Sequence, residues 1–273
     1  AHEVYAWMKA LRDRPSDAIS YHYLSGGMGR LYAKGQTKLH RSKSLQGCFK
    51  GLRGVLIGRY AHDIDIVNSL PSLTIQWLDY LVDSDDTFSN LPIENLRQYV
   101  DHRDEWLRQI REWHGCSRDE AKDMMLVSLF GGDPGRPGKP LLPQVRQLVA
   151  DLATVRRRVV AYQNQIPKYK QLYDRKLVEK RGDVAATERS MFSIYTHELE
   201  DLVMGYLRKF MASQSVQVFS LVYDGMITSH CSEQLLRDAE TFVEESCGLR
   251  IQLVEKPLHG LQARPVPELA CMY

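Results

Sequence analysis

Residues 61–73, "AHDIDIVNSLPSL", carry the decision about the fold. Isoleucines alternate with aspartates through "HDIDIV", the period of two that suits a half-buried strand. Directly afterwards, Asn68–Pro71 open a helix expected to run to about Val82, with Ser69 able to cap it and Pro71 suited to its first turn. Such a strand needs partners, and "VQVFSLVYDGMITSH" (216–230) offers them as two β-runs bracketing a turn at Asp224–Gly225. The "CGLRIQLVEKP" segment adds a final strand over 249–255.

Between these strands the pattern is helical. Helices are expected near 92–114, 117–130, 143–165, 166–180, 185–213 and 232–247, with "VDSDDTFSN" an acidic loop and "GGDPGRPGKPLLP" (131–143) a linker. Residues 3–14 read as a short helix ending before Pro15, residues 16–52 as turn-rich and basic, and "GVLIGRYAHDIDIV" (54–67) as a strand pair or a turn and strand. The class is therefore α+β: a small antiparallel sheet carrying aspartates, with a helical insertion between its halves.

At 273 residues the chain can bury a substantial core as one large domain or two smaller ones. A net charge of +2 implies no nucleic-acid partner by itself, but "YAKGQTKLHRSKS" (32–44), "TVRRRVVAYQNQIPKYKQLYDRK" (154–176) and "EKRG" (179–182) interleave basic residues with tyrosines, which suits a groove tracking a nucleic-acid backbone. Solvated helix faces look the same. Five scattered cysteines without a CxxC pair indicate neither a zinc site nor a disulfide framework, and point to an intracellular reducing compartment: cytoplasm, nucleus or organelle. No apolar run approaches a membrane span, so no membrane partner is expected. The first residue is Ala, as in a processed product or an excised piece.

Two features carry chemistry. Asp63 and Asp65 end one strand and Asp224 another, and a carboxylate there costs desolvation energy unless a partner offsets it. Mg2+ is one such partner, and adjacent strands could hold two ions about 4 Å apart, the spacing of in-line phosphoryl chemistry. Alone, "DGM" is more often a hairpin turn, and "DID" also occurs in DxD phosphatases and glycosyltransferases. The second feature is "SRDEAKDMMLVSLFGG" (117–132), where Arg118, Lys122, Leu126 and Phe130 recur every four residues before Gly131. They make one stripe about 18 Å long, enough for a triphosphate at one end and a base at the other. An amphipathic helix with snorkelling cations and a core-facing Leu and Phe has the same pattern.

In order and spacing, these pieces resemble the polymerase core of the family A (DNA polymerase I-like) DNA polymerases and their single-subunit phage-type RNA polymerase relatives, over roughly residues 29–256. "GRLYAKG…SLQGCFKGLRGVL" resembles the family's primer–template segment, with Arg30, Gln46 and Arg53 at its polar positions. "DIDIVNSLPSL" resembles motif A, Arg118–Gly131 motif B, and "VYDGMIT" motif C. "ERSMFSIYTHELEDLVM" (188–204) resembles the conserved E-R helix: Glu188 and Arg189 match, and His197 stands where a template-contacting Gln is usual.

The resemblance implies a right-hand polymerase core, a small antiparallel palm sheet with a large helical fingers insertion. Residues 1–28 would be an N-terminal remnant, 29–82 and 185–273 the two palm parts and 83–184 the fingers, without thumb or exonuclease. It implies two Mg2+ ions (Mn2+ as an alternative) held by Asp65 and Asp224, with Asp63 and Ile66 in the same ligand set. Arg118 and Lys122 would neutralise phosphates, Phe130 would stack on the base beside Leu126, and Gly131 would leave room for the template base. Arg30, Gln46, Arg53, Arg189 and His197 would contact primer–template nucleic acid. The expected activity is primer extension with dNTPs, with NTPs as the alternative and an accessory protein replacing the thumb. A primase or RNA polymerase on the same core, and an inactive nucleic-acid-binding palm, are the rivals. Motif C departs from the family in reading Tyr223-Asp224-Gly225, without its auxiliary carboxylate, and no Glu gate against ribose is evident near Leu70.

Overall fold

The computed structural model describes residues 20–25, 27–33, 44–48, 50–132, 134 and 140–258. The helix expected at 3–14, most of the basic run 32–44 and part of the linker 131–143 fall outside these residues. In chain order the elements are β1 (Tyr21–Tyr23), β2 (Leu31–Ala33), α1 (Lys50–Ile57), β3 (His62–Ile66), α2 (Ser69–Ser84), α3 (Glu94–Asp101), α4 (Arg103–His114), α5 (Arg118–Leu129), α6 (Pro143–Gln163), α7 (Pro167–Glu179), α8 (Val184–Ser213), β4 (Val218–Val222), β5 (Gly225–Thr228), α9 (Glu233–Cys247) and β6 (Leu253–Lys256). Helix and strand segregate as an α+β protein does.

The chain divides into two compact units. One comprises residues 1–23, 31–67 and 203–273, and the other 24–30 and 68–202. The unit boundaries lie at 67/68 and 202/203, and α2 and the first two-thirds of α8 bury Leu78, Met191 and Phe192 in the helical core.

The first unit is built on a four-stranded sheet in the order β4-β5-β3-β6. All neighbours are antiparallel, and β3 lies between β5 and β6. Helix α9 packs on β6, and Ile64, Ile66, Met226, Ile227, Ala239, Val243 and Leu253 are buried. β1 and β2 form a separate two-stranded ribbon. Tyr21 fastens it to β4, its hydroxyl lying 3.0 Å from Ser220 Oγ and accepting from Leu221 N at 3.1 Å. The second unit is a helical bundle around Leu78, Leu96, Leu107, Ile110, Leu148, Leu152, Leu172 and Phe192.

Three local expectations are corrected. Residues 54–57, expected as strand or turn, close the helix α1, because Leu52 and Leu56, one turn apart, pack with Cys48 and Leu45 in a small cluster. The helix expected over 92–114 breaks at His102 (φ −121°, ψ 36°) into α3 and α4. Asn68, in the left-handed region (φ 52°), caps α2 without a side-chain bond; Ser69 is already inside the helix, buried, and donates to Glu200 Oε2 at 3.3 Å.

Candidate functional site

Register alone brings the aspartates of the sheet together. Asp65 lies opposite Gly225 on β5 and Val254 on β6, and Asp63 lies opposite Ile227 and Lys256. Directly paired residues point to the same face of an antiparallel sheet, so Asp63, Asp65, Gly225 and Lys256 share one face. The hairpin turn is Tyr223–Asp224, one residue earlier than expected, since Val222 pairs with Gly225. Tyr223 takes a left-handed conformation (φ 56°). The main chain at the turn is then fixed by Ile66 N donating to Asp224 O at 3.1 Å.

Gly225 is in the strand because nothing larger fits. A Cβ there would stand 2.5 Å from Ile64 O, 3.0 Å from Asp65 Oδ1 and 3.3 Å from Asp65 Cα. The carboxylate that motif C usually carries at this position would run into β3.

The electrostatics follow from this crowding. Burial, and then the negative charge of Asp224, push the Asp65 carboxyl from 3.8 up to about 6, and Asp63 adds to the rise. Lys256 opposes it with a hydrogen bond and an ion pair to Asp65 Oδ2. Asp63 is buried on β3. Ile66 is 2% exposed and its side chain has no ligand atom, so its main-chain carbonyl is the one group with which it could join a ligand set. Among the described residues, no three His, Cys, Asp or Glu side chains converge as a ready-made metal cage. The donor set is two facing carboxylates that already draw one cation, Lys256, and that fits an ion completing its shell from phosphates and water.

In the helical unit, α5 begins with a capping box, Ser117 Oγ accepting from Glu120 N while Glu120 returns to Ser117 N. Ala121, Met124, Met125, Ser128 and Leu129 face the core. The stripe read from the sequence lies on the other side. The Arg118 and Lys122 side chains are 45% and 37% exposed and pair with Asp104 and Asp119, while Leu126 is 44% exposed. A core-facing Leu126 is therefore excluded. Phe130 is half-buried, its ring centroid 5.6 Å from that of His197.

Several assigned contacts turn inward. Both ends of the Gln46 amide bind β2, accepting from Ala33 N at 2.8 Å and donating to Leu31 O at 3.1 Å, so at 4% exposure it braces a strand. Arg30 forks onto buried Glu200 at 2.7 and 2.8 Å. Gly131 (φ 76°) makes room for the Arg156 guanidinium, whose Nη2 a Cβ would meet at 2.4 Å. Arg156 is 5% exposed and donates to Leu129 O at 3.3 Å. Burial, then Arg189, depress it to about 10. Arg189 is half-exposed beside it, and Arg53 has buried Nε and Nη1 atoms without a hydrogen-bond partner among the described residues. Burial and the nearby Arg30 charge push His197 down to about 3.

Sequence reasoning missed Lys256, Arg156 and Glu200. "VEKP" showed a cation on the last strand, but its partner is set by register.

No family model matches the sequence. The chain is 26% identical over 250 residues to "Putative helicase V13" of the Sputnik virophage, covering 88% of this chain and 29% of that protein. It therefore spans less than a third of its relative. Among solved structures it resembles the POL domain of Pol1 from M. smegmatis, in complex with DNA primer-template and dNTP, at 12% identity and a TM-score of 0.45, over 93% of this chain and 50% of that one. Likeness at that level identifies neither fold nor family.

Proposed function

We propose that the chain is a template-directed nucleotidyltransferase that extends a primer with dNTPs. The observation that carries this reading is the meeting of Asp65 on β3 and Asp224 in the turn before the adjacent strand β5, 159 residues apart in sequence, where their like charges repel. Crowded carboxylates held near a strand end gain most from a multivalent cation.

Asp65 and Asp224 would hold Mg2+, with Asp63 on the same sheet face and the Ile66 carbonyl in the same ligand set. When bound, the metal supplies charge neutralisation at phosphate and acidifies an attacking hydroxyl. In the proposed reaction a primer 3′-hydroxyl forms a bond to the α-phosphorus, the bond to pyrophosphate breaks, and the hydroxyl proton passes to solvent. Arg118 and Lys122 would bind the β- and γ-phosphates. Their present partners support this, because exposed ion pairs contribute only about 0–1 kcal/mol and exchange readily for phosphate. Leu126 and Phe130 would continue the same stripe toward the base; Arg53, Arg189 and His197 are the remaining proposed nucleic-acid contacts. The helicase name of the virophage relative lies within nucleic-acid metabolism, and the accessory grip and cellular setting belong to this proposal too.

The test is primer extension on DNA and RNA templates with dNTPs or NTPs. Asp224→Asn and Asp65→Asn are each expected to lower incorporation by at least about a hundredfold, the scale seen when one transition-state-stabilising group is lost. Incorporation by neither substrate on either template overturns the catalytic reading. A non-catalytic nucleic-acid-binding module then stands, which the Asp65–Lys256 pair and the absent motif C carboxylate already favour as the second reading.

A further inference from the structure

The ion pair between Lys256 and Asp65 lies on the same sheet face as both Asp63 and Gly225. Lys256 sits directly opposite Asp63 but reaches diagonally along the strand to Asp65, two residue pairs nearer the turn that carries Asp224. Diagonal neighbours stand about 7–8 Å apart, within reach of a long side chain. On the β5 side of that face the Asp65 carboxylate presses against Gly225, with Ile227 opposite Asp63, so the cation that opposes Asp65 comes from the β6 side. The Asp65 side chain is 14% exposed and that of Lys256 44%. One partner is fixed in the sheet; the other has half its surface in water and is free to swing away.

We propose that Lys256 is a resident counter-ion for the Asp65–Asp224 pair, a positioning residue that a divalent cation displaces from Asp65 on binding. This inference rests on the metal-site reading above. It follows from a conflict over one atom: the Lys256 ammonium holds Asp65 Oδ2, which a metal ligated by Asp65 also requires. With the metal absent, the ammonium offsets part of the repulsion among three carboxyls on one strand pair and its turn. On metal binding it leaves the carboxylate and stands beside the site, where an ammonium suits an incoming phosphate or the departing pyrophosphate. Metal and substrate would then arrive as a matched set, and metal alone would bind weakly.

The experiment is Mn2+ titration of the intact chain, read by the electron paramagnetic resonance of free Mn2+ without any substrate, on wild type, Lys256→Gln, Lys256→Arg and Asp224→Asn. Circular dichroism confirms that each variant is folded. Lys256→Gln is expected to bind Mn2+ on the order of tenfold more tightly, the scale on which groups touching a metal's ligands alter affinity. Lys256→Arg, which keeps the charge, is expected to stay near wild type. In chelator, Lys256→Gln is expected to melt below wild type, with added Mn2+ narrowing the gap. Equal or weaker Mn2+ binding by Lys256→Gln, with wild-type binding saturable and lost in Asp224→Asn, overturns the inference and leaves the metal site standing. Equal tightening in Lys256→Arg also overturns it. No saturable binding by any of the chains overturns both.

Discussion

Among single residues, His197 has the clearest consequence. Folding buries its imidazole beside Arg30 and holds it neutral down to about pH 3, whereas in the unfolded chain it takes a proton below about 6.5. The unfolded state therefore binds more protons between those values, and stability falls as pH drops through that window. By pH 4 the loss is roughly 3 kcal/mol at 1.36 kcal/mol per unit. His197→Gln is expected to remove most of this slope in urea unfolding measured from pH 7 to 4; an unchanged slope would place the proton elsewhere. Asp65 has the opposite sign: with its carboxyl raised to about 6, the native state keeps a proton the unfolded chain gives up, so its ionisation costs stability as pH rises from about 4 to 6. Single residues were legible in the sequence where identity alone sets the chemistry, as at Asp63, Asp65 and Asp224. They were not where burial decides. Of the run Arg156–Arg158, Arg156 turns inward between Val155 and Val159 while Arg157 and Arg158 are exposed, and local sequence does not distinguish them.

For whole elements, the hairpin and β3 set the site. Gly225→Ala is expected to lower stability by about 1–3 kcal/mol, because its methyl group would press on the main-chain oxygen of Ile64, which cannot rotate away. The shift is read in thermal unfolding, and a neutral substitution would show that the strands separate easily. Long periodic helices such as α5 and α6 were legible because periodicity and capping agree; Ser117 and Glu120 announce one end of α5. Helix α1 was not, since "GVLI" is rich in strand formers and only packing of Leu52 with Cys48 makes it helical. The His102 break was hidden likewise. No Pro or Gly marks it, and α3 and α4 separate to bury Tyr99 and Trp106 edge to face at 5.8 Å.

Taken whole, the chain crosses between its two units at 23/24, 30/31, 67/68 and 202/203. The short excursion 24–30 belongs to the helical unit, and Arg30 anchors it to Glu200, which is 1% exposed. Removing one member of a buried pair strands the other charge, so Arg30→Ala is expected to cost about 3–5 kcal/mol. Arg30→Ala with Glu200→Gln should recover part of that loss. Trp77, Trp106 and Trp113, the described tryptophans, all lie in the same unit, so fluorescence-monitored unfolding in a Trp7→Phe background reads it. An Arg30→Ala cost below about 1 kcal/mol would show that water reaches Glu200.

The strand order has a further consequence during synthesis. β3 at residues 62–66 must wait for β5 and β6, which begin at 225 and 253, before either of its edges is covered. A ribosome adding about 5–20 residues per second leaves that strand uncovered for some ten to thirty seconds. The helical segment 68–202 emerges complete within that interval. The aspartates should therefore come together only after the helical segment is complete, and a message truncated before codon 224 should yield helices without the carboxylate pair.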